Sequence, residues 1–139
     1  INYKTDNLRD KLKELCPKGI DIYFENVGGP ITDAVLSRMN IGSRISLCGL
    51  ISAYNAESIA PGPAWGNLLV KRINLKGFIV FDYIKRYLEA YQDLSNWVRD
   101  GKIKYKNDIV PGLENASHAI KKLFSGENNG KLIVQIADL

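Results

Sequence analysis

Histidine occurs once in these 139 residues, methionine once and cysteine twice. A lone His118 supplies neither a zinc-binding cluster nor a histidine-based catalytic triad. Cys16 and Cys48 stand far apart without metal-ligand spacing, and they fit reduced thiols in a cytosolic protein better than a disulfide scaffold. No window holds the roughly 18 uninterrupted apolar residues of a membrane span. No basic-then-apolar leader occurs either, so neither a span nor a signal peptide is expected. A dense basic arm is also missing. The net charge is +4, and the lysines, such as Lys11, Lys71 and Lys104, are scattered without interleaved aromatics. That pattern reads as a solvated surface rather than a nucleic-acid footprint. There is no internal repeat and no low-complexity segment.

What remains is an ordinary soluble α/β composition, 45% hydrophobic and 24% charged, long enough for one domain with a sizeable core. Its centre is the stretch from Gly19 to Asn55. Residues 20–24 are apolar and β-prone apart from Asp21, and they run into Glu25-Asn26-Val27-Gly28-Gly29. Pro30 suits a first helical turn, where its missing N–H costs nothing. Ile31, Val35 and Met39 recur on one helical face, with Asn40 and Gly42 as a stop. Residues 44–48 read as the next strand, closing at Gly49. Strand, helix and strand make a βαβ unit with both strands parallel in one sheet, and in such sheets ligands sit at the carboxyl ends of the strands. The Asn26 turn and the Gly49–Asn55 turn occupy those two ends.

On either side the pattern is less dense. Ile1-Asn2-Tyr3-Lys4 reads as the end of a strand, and the chain starts without methionine. Asp6 is placed to cap a helix bearing Leu8, Leu12 and Leu15, stopped by Pro17 and Gly19. Residues 55–66 read as a loop, and 65–71 as a short helix. Residues 73–81 read as a buried strand, on the continuous apolar run Phe78-Ile79-Val80-Phe81. Tyr87, Leu88, Tyr91, Leu94 and Val98 predict a long helix over 83–100, stopped by Gly101. Strands are expected over 105–110 and 131–136. Between them a helix over 114–124 would turn Ala116, Ile120 and Leu123 inward. His118 falls on its polar face, and Trp65 and Trp97 read as packing residues.

Taken together these segments resemble the medium-chain dehydrogenase/reductase superfamily, in particular its zinc-independent prostaglandin reductase and alkenal double-bond reductase branch. The resemblance is carried by Asn2-Tyr3-Lys4, Asp21-Ile-Tyr-Phe-Glu-Asn-Val-Gly-Gly29, Cys48-Gly-Leu-Ile-Ser-Ala-Tyr-Asn55, Pro61-Gly-Pro63, Gly77-Phe-Ile-Val80, Trp97-Val-Arg-Asp-Gly-Lys-Ile103, Gly112-Leu-Glu-Asn115 and Gly130-Lys-Leu-Ile-Val134. They occur in the family's order and at close to its spacing. No G-x-G-x-x-G turn is present, nor the GroES-like barrel that precedes the nucleotide domain in that superfamily. The resemblance therefore implies the C-terminal part of such an enzyme. Residues 1–100 would be the later part of a Rossmann-type, doubly wound parallel sheet that binds NADP, and residues 101–139 would return to complete the GroES-like catalytic domain.

The same resemblance assigns candidate roles. Asn26 would meet the cofactor's ribose region, although Asn beside glycines also makes a good turn. Tyr3 resembles a tyrosine near the adenosine phosphate, or is a half-buried strand-end aromatic. Cys48, Gly49, Leu50, Ile51, Ser52, Ala53 and Tyr54 resemble the second cofactor-lining turn. Cys48 itself reads as a small core residue, since no His or Lys stands beside it to make it a thiolate. Tyr54 is the catalytic candidate: a phenol stays protonated at neutral pH and can donate to a carbonyl gaining negative charge. Phe78, Ile79 and Val80 match a strand end whose backbone meets the nicotinamide carboxamide, and core packing explains them equally well. Asn128 resembles a late asparagine that reaches back to the cofactor, or belongs to a plain turn.

The activity implied is NADPH-dependent reduction of the C=C bond of an α,β-unsaturated ketone or aldehyde, without a metal. These residues on their own would be nearly inactive, because half the site lies in the upstream part. A quinone reductase of the same superfamily and a non-catalytic nucleotide-binding α/β module are the rival readings. The small-molecule partner is thus an enone or a quinone, with no nucleic acid and no membrane. The strand near Phe78 is suited to join two subunits edge to edge as a homodimer.

Overall fold

Three short strands finish level with one another, and that common edge organises the first part of the chain. A computed structural model describes residues 1–58 and 62–137, so of the Pro61-Gly62-Pro63 segment Pro61 lies outside the described residues. The chain forms two compact units, residues 1–84 and 85–139.

In the first unit, α1 (Leu8–Leu15) leads to β1 (Ile20–Glu25), α2 (Gly29–Arg38), β2 (Met39–Leu47), α3 (Trp65–Lys71) and β3 (Asn74–Gly77). The strands pair in parallel in the order β1-β2-β3. Glu25 lies opposite Leu47, and Leu47 opposite Gly77, so all three strands end in register. This is the parallel βαβ arrangement expected from the alternation of short apolar runs with a helical pattern. The core is small: Val35, Leu36, Met39 and Ile45 are buried together, flanked by Leu12, Ile20, Tyr23, Leu68 and Ile73. Cationic side chains tie the helices to one another. Arg38 donates to the carbonyl oxygens of Cys16 and Pro17 just past α1, and Lys71 donates to those of Leu36 and Ser37 at the end of α2.

Several expectations are corrected here. Ile1 to Lys4 is not a strand end: Asn2 and Asp6 close a turn, with the Asn2 N–H donating to the Asp6 carboxylate at 2.8 Å. That use of Asp6 leaves Asn7 as the cap of α1, accepting from the N–H groups of Arg9 and Asp10. Asn40 and Gly42 do not separate helix from strand. β2 starts at Met39, and they form a bulge in it, where the register with β1 jumps between Ile20↔Met39 and Ile22↔Arg44. The Asn40 amide fills that bulge by donating to Lys18 O and the Asp21 carboxylate. β3 stops at Gly77, four residues short of the expected strand end. The Asp82 carboxylate accepts from the Ile79 N–H where the chain enters a 3₁₀ turn at Val80, and the backbone kinks at Tyr83 before α4.

The second unit holds α4 (Tyr87–Arg99), β4 (Asn107–Pro111), α5 (Ala116–Ser125) and β5 (Lys131–Gln135), with β4 and β5 parallel. Gly101 takes positive φ just past α4, as its stop position requires. The expected inward faces are not covered within this unit. Only Ala119 of α5 is buried, whereas Ile120, Leu123 and the apolar stripe of α4 are exposed. Two strands and two helices enclose too little volume to bury both stripes. Trp97 and, in the first unit, Trp65 are likewise exposed rather than packed. His118 is exposed, as its polar face predicts.

Candidate functional site

The turn after β1 is shaped by Glu25, which is 1% exposed. Its carboxylate accepts from the N–H groups of Val27 at 2.6 Å and Gly28 at 2.9 Å, from the Tyr23 hydroxyl at 3.0 Å and from the Thr32 hydroxyl. Burial pushes this carboxyl up, but the Thr32, Val27, Gly28 and Tyr23 donors outweigh it and hold the group below its ordinary value. The Tyr23 phenol responds in the opposite sense, pushed up by burial and by its bond to the Glu25 carboxylate. The bent turn needs Gly28 at φ +86°, a conformation in which a Cβ would be strained. Sequence reasoning missed Glu25. The available signal was an acid closing a strand two and three residues ahead of the N–H groups that open a helix, an arrangement that resembles an N-cap.

The turn after β2 is laid against the first. Cys48 N–H donates to Glu25 O at 2.8 Å, Ile51 N–H to Asn26 O at 3.1 Å and Ser52 N–H to Val27 O at 2.9 Å. Residues Ile51–Ala53 form a 3₁₀ turn that delivers Tyr54. The third strand end joins through Phe78 N–H on Leu47 O at 3.1 Å, and the Phe78 ring meets Phe24 and Tyr83.

Between the second and third corners lies an open groove of about 520 Å³, lined by Leu47, Cys48, Gly49, Leu50, Tyr54, Gly77, Phe78, Ile79 and Asp82. Gly49 makes its polar wall. A Cβ built there would stand 2.6 Å from Asn26 Oδ1 and 2.8 Å from the Tyr54 hydroxyl. The Asn26 amide and the Tyr54 phenol thus converge on one point above Gly49. Among the described residues neither side chain makes a hydrogen bond.

The remaining candidates are distributed as follows. Cys48 is exposed on the groove and not in the core, because at the end of β2 it lies past the last covered position. Leu50 also borders a second cavity of about 560 Å³ on the helix side of the sheet, where Ser52 and Ala53 sit with Thr32, Leu36 and Leu68. Leu36, Ile45 and Leu68 form its floor, and most of its wall comes from the first turn of α2 and from the residues that follow the second corner. Asn26, Ile51 and Val80 line neither hollow, so Asn26 comes to the groove only through its approach to Gly49 and Tyr54. Tyr3 is exposed in the Asn2–Asp6 turn, and it lines neither hollow either. Asn128 belongs to the second unit, where its amide donates to Gly130 O at 2.9 Å. Among the described residues no cluster of three or more His, Cys, Asp or Glu side chains is placed to hold a metal ion.

Comparison with known proteins places the chain in a family. The family profile described as zinc-binding dehydrogenase matches residues 1–134. The solved structure of CurA from Vibrio vulnificus in complex with NADPH is 47% identical, superposes with a TM-score of 0.88, and matches 100% of this chain and 43% of its own. A NADP⁺-dependent 2-alkenal reductase of Nicotiana tabacum is 44% identical over 99% of this chain, and prostaglandin reductase 1 of Bos taurus 41% over 97%. The chain spans about two fifths of the length of these curated relatives, 40% and 42% respectively. The chain therefore belongs to the zinc-binding dehydrogenase family of the medium-chain dehydrogenase/reductase superfamily, of whose members it represents the C-terminal part.

Proposed function

We propose that this chain is the C-terminal part of an NADPH-dependent reductase that saturates the C=C bond of α,β-unsaturated ketones and aldehydes. The observation that carries this reading is the meeting of two unpaired polar groups, Asn26 and Tyr54, over Gly49 at the carboxyl ends of parallel strands. A Cβ at position 49 would force both groups aside, so the glycine is what lets them stand together at the strand ends. NADPH, when bound, would supply a hydride to the β carbon of the substrate. Asn26 is suited to the ribose, and the peptide groups of Gly49–Ala53 with Phe78 and Ile79 to the nicotinamide side. The Tyr54 hydroxyl would donate to the substrate carbonyl oxygen as it gains enolate charge, and so stabilises charge only as it develops.

In this reading residues 1–100 belong to the nucleotide-binding domain and 101–139 to the catalytic domain, with Asn128 and Tyr3 as further cofactor contacts. β3, the outer strand of its sheet and exposed along its length, supports edge-to-edge pairing of two subunits. Both cysteines are free, in keeping with a reducing cytoplasm. Among the described residues no helix is long and apolar enough to cross a membrane. The test is Tyr54→Phe in the full-length reductase. Turnover of an enone should fall by about 10²-fold at unchanged NADPH affinity, and undiminished turnover would overturn the assignment.

A further inference from the structure

The strongest set of hydrogen bonds in the first unit belongs to a residue with no part in the chemistry above. Glu25 is buried at the last position of β1, and its carboxylate is saturated by two peptide N–H groups and two hydroxyls. An acid placed this way costs desolvation, so what its bonds hold in place matters.

The two peptide N–H groups it receives come from Val27 and Gly28. A trans peptide is planar, with its C=O opposed to its N–H, so clamping one end aims the other. The plane whose N–H is that of Val27 carries the carbonyl of Asn26, and that oxygen accepts from Ile51. The plane whose N–H is that of Gly28 carries the carbonyl of Val27, and that oxygen accepts from Ser52. Among the described residues these are the two backbone bonds that tie the Leu50–Tyr54 segment to the first corner. Its others, Ala53 N–H to Leu50 O, Tyr54 N–H to Ile51 O and Ala56 N–H to Ala53 O, are local. The line of fixed geometry therefore runs from the carboxylate through two peptide planes into the 3₁₀ turn that delivers Tyr54.

We propose that Glu25 is a positioning residue for the reduction: by clamping the Val27 and Gly28 peptides it aims the Asn26 and Val27 carbonyls at the second corner, and so sets where the Tyr54 hydroxyl stands. The inference rests on the role given above to Tyr54. Its reach is set by how steeply catalysis depends on placement, since a displacement of about 1 Å can cost about 10²-fold in rate.

The experiment is a double-mutant cycle on the full-length reductase, with enone turnover measured at saturating NADPH and with folding verified by circular dichroism. Glu25→Ala is expected to lower kcat by about 10²-fold, and adding Tyr54→Phe to it should lower kcat little further, because a misplaced hydroxyl has nothing left to lose. Glu25→Gln keeps an oxygen that can accept from both peptides and should stay within about threefold of the parent. If the two losses multiply, or if Glu25→Gln is as slow as Glu25→Ala, the positioning role is overturned. Should Glu25→Ala not fold, Thr32→Val, which withdraws one donor from the carboxylate, takes its place in the cycle. A loss of about fivefold that disappears in the Tyr54→Phe background supports the proposal, and an unchanged rate or an independent loss overturns it. A full-speed Tyr54→Phe removes the assignment of the hydroxyl and this inference together. A slow Tyr54→Phe beside a full-speed Glu25→Ala removes this inference alone.

Discussion

Each unit of the chain contains a strand carboxylate that holds other parts of the chain in place, Glu25 the turn after β1 and Asp108 both α5 and the segment before β5, and the two differ in what surrounds them. Glu25 in the first unit is 1% exposed and held by neutral donors alone. Asp108 in the second accepts from the Lys122 ammonium at 2.8 Å and from the Asn129 N–H at 2.9 Å. There the side chains remain 19% and 26% exposed for Asp108 and Lys122. Both carboxylates accept several bonds, but water reaches only one of the two. A buried acceptor whose loss strands its donors is worth far more than a cation pair that solvent can replace. The difference explains why the first unit can hold a shaped turn on a single side chain, while the second relies on chain connectivity and a two-stranded ladder.

The largest effect that would break this contrast is Glu25→Ala, which leaves two peptide N–H groups and two hydroxyls without their acceptor. It should reduce stability by about 3 kcal/mol in urea unfolding, and a loss no greater than that of a surface substitution would contradict the account. Acid gives a second measure. Glu25 is held below its ordinary value of 4.5 when folded, so its contribution is complete above that value and is lost as pH falls through the lower, folded one. Asp108, lowered from 3.8 by Lys122 and the Asn129 N–H, acts in the same direction. The melting temperature should therefore decline on acidification below about pH 4.5, and Glu25→Ala should flatten much of that decline. A parent and a variant that fall in parallel would show that Glu25 is not the group responsible. The smallest effect belongs to Asp108→Asn. It should lower the melting temperature less than Glu25→Ala, and the difference from the parent should shrink in high salt. A loss that ignores salt would mean that the pair is better shielded than its exposure indicates.

How far these features could be read from the residues varied with how local their causes are. β1, α2 and the pairing of β1 with β2 follow from a strand-like run, Pro30 at a helix start and a helical apolar face, all set by neighbours in sequence. The bulge at Asn40–Gly42 does not, because the same residues make a helix stop unless a partner strand, here with Lys18 and Asp21, supplies acceptors for the Asn40 amide. Phe78 to Phe81 reads as strand by composition but is not one, because a short continuous apolar run carries no period of its own. What ended the strand there was a bond from Ile79 to Asp82. At the site, the glycines and Tyr54 were visible as residue types in a turn. The burial of Glu25 was not, since an acid at a strand end is ordinarily solvated, and only the packing of Tyr23 and Thr32 around it closes off water.

The level finish of Glu25, Leu47 and Gly77 has a practical side. Each strand residue advances the backbone by about 3.3 Å and reverses which face its side chain takes. Deleting one residue from β1 or β2 would therefore retract one corner of the ledge and turn its neighbours inside out at the same time. Its loops can be lengthened without moving that edge, but the number of residues in its parallel strands works as a fixed ruler.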